Sequence, residues 1–126
     1  MIVAAVGDLL FASKIRAAAR AIGVEVRFAR TAEELLALAA RGPRLVVIDL
    51  NGRDLDPLAA IERIKEATAG ACRVVGFVSH VQTDLIAAAR RAGADEVLAR
   101  SAFAARLPVL LRPATNGQAA EDETSA

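Results

Sequence analysis

The sequence predicts an α/β fold: a five-stranded parallel sheet, doubly wound, with strand order 2-1-3-4-5. Three observations carry this. A short apolar run followed by a stretch of helical spacing recurs five times along the chain. Most of the apolar runs are continuous rather than alternating, as strands buried on both faces are. Val24-Glu25-Val26-Arg27-Phe28 alternates instead, which suits an edge strand with one wet side.

The predicted strands are residues 2–6, 24–29, 45–48, 73–78 and 96–99. Between them lie four amphipathic stripes. Phe11, Ile15, Ala18, Ala19 and Ile22 form the first, and Leu35, Leu38 and Ala39 the second. Leu58, Ile61 and Ile64 form the third, and Leu85, Ala88, Ala89 and Ala92 the fourth. A glycine follows each stripe, as at helix C-termini. Thr31 with Glu34 reads as a capping box, and Ser79 with Gln82 as a second. Asp56-Pro57 reads as an N-cap followed by proline at the first helical position. In the last helix Ser101 is the expected cap. Phe103, Leu107 and Leu110 are its expected sheet-facing residues, and Pro108 is expected to kink or interrupt it. Residues 1–112 are thus one domain. Residues 113–126 carry no apolar period and read as a disordered tail.

Composition narrows the function. Of the 126 residues 55% are hydrophobic, enough for a substantial core. With only four Phe and no Tyr or Trp, aromatic platforms for stacking bases or sugars are not expected. Glu121, Asp122 and Glu123 hold three of the 15 acids, so residues 1–112 set 16 bases against 12 acids. That excess is too mild to imply nucleic acid. One Cys and one His exclude an internal disulfide and a Cys- or His-rich metal site. No leader peptide or membrane-length apolar run is apparent, so a cytoplasmic protein is expected.

Ligands of doubly wound sheets bind beyond the carboxyl ends of the strands. Gly7 and Asp8 follow the first strand. Asp49, Leu50, Asn51 and Gly52 close the third. Ser79 and His80 follow the fourth, and Arg100 and Ser101 the fifth. Two acids, a hydroxyl and a cation at four strand tips could support phosphoryl transfer onto a carboxylate. Asp49 would be the nucleophile. Asp8, Asp49 and the backbone carbonyl of Asn51 would hold Mg²⁺. Ser79 and Arg100 would contact the phosphoryl oxygens.

Simpler roles stand beside these. Asp8 also reads as the N-cap of the first helix and Asp49 as the acceptor of an Asx turn. Ser79 is as good a helix cap as a phosphate donor. Arg100 could be a permanent counter-ion of Asp49. His80 is expected in solvent, and Cys72 as an ordinary semi-buried thiol. Phosphate loops for flavin, dinucleotide or nucleoside triphosphate are absent from the sequence, so an autonomous enzyme is not expected.

The chain resembles the receiver domains of bacterial response regulators, a flavodoxin-like fold. The resemblance spans residues 1–112. It rests on Gly7-Asp8 in place of the family's acidic pair, Asp49 in Leu45-Val46-Val47-Ile48-Asp49, Ser79 after the fourth strand, Ala92-Gly93-Ala94 before the fifth, and Arg100-Ser101 where the family has Lys-Pro. It implies a phosphoacceptor at Asp49 and a sensor kinase, phosphotransfer protein or downstream effector as partner, with no nucleic acid and no membrane. The departures imply a degenerate site. Gly7 removes one carboxylate, so Mg²⁺ binding should be weak. Ser101 removes the proline that favours a cis bond. Val97 stands where the family's signalling aromatic would be. The expected function is a stand-alone receiver-like signalling module acting through protein contact. The alternative is a working receiver phosphorylated at Asp49. A homodimer at high concentration is also expected, through Leu98 with Arg90, Arg91, Asp95, Glu96 and Arg106.

Overall fold

The computed structural model describes residues 1–53 and 55–112. The expected tail, residues 113–126, lies outside them. Five strands, β1 (Ile2–Ala5), β2 (Val26–Phe28), β3 (Leu45–Asp49), β4 (Val74–Val78) and β5 (Glu96–Ala99), form one parallel sheet in the order β2-β1-β3-β4-β5. The helices are α1 (Leu9–Ala21), α2 (Ala32–Ala39), α3 (Pro57–Ala67), α4 (Thr83–Ala92) and α5 (Arg100–Leu111). The predicted (βα)₅ fold and strand order are those observed.

The continuous apolar runs have a direct explanation. Side chains alternate across the sheet, and both faces are covered. Ile2, Ala4, Leu45, Val47, Val75 and Phe77 face α1 and α5. Val3, Ala5, Val46, Ile48, Val74 and Val78 face α2, α3 and α4. Under α1 and α5 the rings of Phe11, Phe77 and Phe103 pack together, with centroids 4.8–5.7 Å apart. The edge strand β2 is shorter than predicted. Its ladder begins at the Ile2–Val26 pair, where β1 itself begins; the Glu25 carbonyl still accepts from Ile2 N at 2.9 Å, while Val24 N donates to the Ala19 carbonyl at the end of α1.

Local signals set most helix starts. The Asp8 carboxylate accepts from the backbone N–H groups of Leu10 and Phe11 at 2.9 and 3.1 Å. Thr31 Oγ1 accepts from Glu34 N, and the Glu34 carboxylate accepts from Arg30 N rather than from the cap residue itself. Asp56 accepts from Ala59 N, with Pro57 in the first turn.

Three expectations at helix ends need correction. Ser79 and Gln82 form no capping box: Gln82 is the N-cap of α4 and its side chain makes no capping bond. Ser101 does not cap α5, because the helix starts at Arg100, directly from β5, with Ala99 as its N-cap, which leaves Ser101 inside the first turn. Pro108 does not interrupt α5, which runs on to Leu111. Proline removes one backbone donor. Phe103, Leu107 and Leu111, spaced four apart, are buried against the sheet on both sides of the missing bond. Leu111, and not the half-buried Leu110, completes that stripe.

Gly93 is required for two reasons. Its φ is +120°, and a Cβ there would lie 2.8 Å from Lys65 Cγ. The Lys65 stem passes beneath it, and Nζ donates to the Cys72 carbonyl at 2.6 Å and to the Asp95 carboxylate at 2.7 Å. Asp95 also accepts from Val74 N, tying α3, the start of β4 and the α4–β5 turn together.

Candidate functional site

The chain leaves β1 for β2 on one side and later returns to β3 on the other. The switch point of the sheet therefore lies between β1 and β3, where Gly7 and Asp49 sit at the strand tips. The predicted residues line two cavities there. Asp8, Ser79, His80, Arg100 and Ser101 line a cavity of about 630 Å³ over β4 and β5. Asp49 and Gly7 line a second cavity, of about 410 Å³, over β1, β2 and β3.

Arg100 does not pair with Asp49. Its guanidinium donates to Asp8 at 2.5 Å, across 92 positions of sequence, and lies 4.5 Å from the Phe11 ring centroid. The reason is placement. Asp8 precedes α1, Phe11 sits in its first turn, and Arg100 opens α5, which packs beside α1. The Arg100 hydrogen bond holds the Asp8 carboxyl below its ordinary pKa, helped by the amides of Phe11 and Leu10 and by the Arg100 charge, against a smaller opposing effect of burial. The Asp8 carboxylate thus serves as helix cap and as partner of an arginine at once.

Asp49 makes the Asx turn. Its Oδ1 accepts from Asn51 N at 2.9 Å. Asn51 contributes through its side chain: Oδ1 accepts from Ser79 N at 2.7 Å, and Nδ2 donates to Gln82 Oε1 at 2.8 Å. This bridge stitches the β3–α3 turn to the β4–α4 turn. His80 is exposed, as expected, while Cys72 is buried more fully than the semi-buried thiol expected. Burial pushes the thiol pKa of Cys72 up. Val97 is buried on the α4 side of the sheet. The acids of the expected dimer face are engaged within the chain: Asp95 with Lys65, and Glu96 with both Arg73 and Arg106.

A hard divalent cation needs several oxygen ligands free of cationic neighbours. Gly7 offers no carboxylate, and one oxygen of Asp8 holds a guanidinium while the other accepts two amides. Among the described residues no three His, Cys, Asp or Glu side chains converge as metal ligands. Of the expected ligands, the Asp8 carboxylate is already engaged by Arg100 and two amides, while Asp49 keeps one oxygen without a hydrogen bond among the described residues.

Three participants were missed in the sequence. The Gln82 contact to Asn51 joins residues 31 apart and has no local signal. Arg16 and Arg30 line the smaller cavity with Asp49. Arg30 follows the tip of β2, so the strand-tip rule extended to the edge strand finds it. Arg16 lies on the exposed face of α1, where nothing local marks it.

No protein-family model matches the chain, and no curated protein matches it. Solved structures do. The chain is 28% identical to the receiver domain of NtrX from Brucella abortus, over 87% of this chain and 93% of that one, with a TM-score of 0.74. It is 21% identical to a response regulator from Burkholderia pseudomallei whose crystal structure contains a phosphorylated aspartic acid, a calcium ion and citrate; 97% of this chain and 72% of that one are covered, with a TM-score of 0.71. It is 18% identical to a CheY-like response regulator receiver domain protein from Methanospirillum hungatei JF-1, over 87% and 91% of the chains, with a TM-score of 0.72. Among the described residues no helix is long and apolar enough to cross a membrane. Sheet order, helix placement and these likenesses together give the chain the CheY-like receiver-domain fold of the response regulators.

Proposed function

We propose that this chain is a receiver-like signalling module that works through contact with a protein partner, and that its phosphoacceptor site is degenerate. One observation carries the reading. The Arg100 guanidinium sits on Asp8, the one carboxylate at the tip of β1, where a metal-dependent site would need an open ligand. A tethered guanidinium supplies a fixed positive charge there. Gly7 withholds the second carboxylate that would help a divalent ion compete. Mg²⁺ would bind weakly, by displacing Arg100. The partner is of the kind receiver domains meet: a sensor kinase, a phosphotransfer protein or a downstream effector.

The switch would be weak for the same reason. A modification shifts a population only when it makes different contacts in the two states. Ser79 could move toward a phosphoryl group, but Val97 carries no ring to follow it, and Arg100 already has an anionic partner.

A second reading rests on Asp49. It ends β3, is half-buried, and borders an open cavity, so a small phosphodonor could reach it. Mass spectrometry after incubation with acetyl phosphate and Mg²⁺, with Asp49→Ala as control, separates the two. Little phosphate on the unmodified protein is expected. Stoichiometric addition lost in Asp49→Ala would establish the working receiver instead.

A further inference from the structure

We infer that the cavity at the β1–β3 switch point is a binding site for a small organic anion with an apolar body. This goes beyond the signalling role proposed above and does not depend on whether Asp49 accepts phosphate. The cavity measures about 410 Å³, within the range of small-molecule sites, and lies at the position where sheets of this winding bind ligands.

Its walls specify the ligand. Val6, Phe28 and Leu55 give it an apolar lining, and Gly7 leaves open the space a side chain would fill at the tip of β1. Arg16 and Arg30 stand on its rim, and among the described residues neither has a carboxylate partner. Arg16 is steadied by the face of Phe28, with its guanidinium carbon 4.6 Å from the ring centroid. Two guanidiniums select a carboxylate or phosphate. Asp49 borders the same cavity. One of its oxygens accepts from Asn51 N, and the other makes no hydrogen bond among the described residues. It would repel a second anionic group and accept from a hydroxyl. The ligand class is therefore a single-headed acid with a hydrocarbon or aromatic body and a donor away from the acid.

The test is a heteronuclear NMR titration of the full chain with a hydroxynaphthoate. Saturable shifts are expected at the amides of Gly7, Ala29, Arg30 and Gly52. Affinity should fall at least about tenfold, equivalent to about 1.4 kcal/mol, in Arg30→Ala and again in Arg16→Ala. Lys14→Ala, on the other cavity, should leave it unchanged. Neutral naphthol and naphthalene dicarboxylate should both bind more weakly. The inference is overturned if no saturable shifts appear or if they centre on Asp8 and His80. Unchanged affinity in both folded arginine variants, or equal binding of naphthol, would overturn it as well. Saturable binding by unmodified protein that takes up no phosphate from acetyl phosphate would support the site independently of the signalling question.

Discussion

Replacing Gly76 by Ala should unsettle both the core and the candidate site. Gly76 lies in the centre of β4, and Leu50 packs over it. A Cβ there would come within 3.0, 3.1 and 3.2 Å of Leu50 Cδ1, Cγ and Cδ2. Leu50 has little room to retreat. It is 4% exposed, belongs to the core under α3 and α4, and its backbone N–H donates to the Phe77 carbonyl at 2.9 Å. Overpacking of this kind costs about 1–3 kcal/mol. The restriction alanine places on the unfolded chain offsets about 0.4–1 kcal/mol. A net destabilisation of up to about 2.5 kcal/mol follows, centred on roughly 1.3 kcal/mol, and at roughly 4–8 °C per kcal/mol it is visible as a lower Tm. Urea denaturation of Gly76→Ala, Leu50→Ala and the double variant would measure it. The alanine methyl should occupy part of the space vacated by Leu50, so the double variant should lose less than the sum of the singles, by at least about 0.5 kcal/mol. Because Leu50 lies between Asp49 and Asn51, the amides of Asn51 and Ser79 should also shift. Additive effects, or a Gly76→Ala protein more stable than the parent, would refute the packing argument.

Removing Arg100 as Arg100→Ala should return the Asp8 pKa toward its ordinary value, measurable by NMR titration, and should strengthen Mg²⁺ binding in calorimetry; Ser79→Ala should do neither. Lys65→Met should destabilise the domain by about 1–2 kcal/mol, because Asp95 and the Cys72 carbonyl lose a charged donor while Asp95 remains partly solvated. Burial raises the Asp95 pKa, but the Lys65 and Val74 hydrogen bonds and the Lys65 and Arg73 charges outweigh it, leaving the group below its ordinary value. Its contribution is complete above the unfolded pKa of about 3.9 and is lost as pH falls through the lower folded value, so acid melts of Lys65→Met should fall less steeply there than those of the parent. The Cys72 thiol should resist iodoacetamide in the native protein at neutral pH and react once urea unfolds it, since it is buried with a raised pKa.

The fold was legible because its signals are local or periodic. Runs such as Leu45–Ile48 are apolar at every position because both faces of β3 are covered, and that pattern alone separates a doubly wound sheet from a one-sided one. Thr31 and Asp56 marked helix starts because a cap bonds residues only a few positions away. What failed was decided over distance. Ser79 reads as a cap from its neighbours, yet the turn it occupies is fixed by Asn51 from another loop. Arg100 meets Asp8 and not Asp49, the counter-ion its strand tip also allowed, because strand tips alone do not say which side chains meet. The packing of α5 beside α1 brings it to Asp8, and the Phe11 ring gives its guanidinium a surface. Pro108 does not end the helix, because the buried stripe on both sides of it offsets the lost hydrogen bond and the crowding of the proline ring.

The Arg100–Asp8 contact bears on what kind of signal this domain can read. A divalent ion is exchangeable, so a site built around one responds to the ion and to the phosphoryl group that it neutralises. A guanidinium on the protein's own α5 is never diluted away; its tether keeps it at a high effective concentration beside Asp8. On the proposed reading, an incoming cation would displace it, and an incoming phosphoryl group would draw it away from an existing partner. Differential contacts, and so the capacity to shift populations, would on that reading shrink at that end of the sheet. They do not shrink at the β1–β3 switch point. There Arg16 and Arg30 have no carboxylate partner among the described residues, and Gly7 leaves space rather than charge. A ligand at that point would touch the tips of β1, β2 and β3 together and would lie against Asp49, whose turn is stitched through Asn51 to Ser79 and Gln82. The same hydrogen-bonded bridge would carry a change at Asp49 to the start of α4, whether a phosphoryl group or a bound anion supplies it.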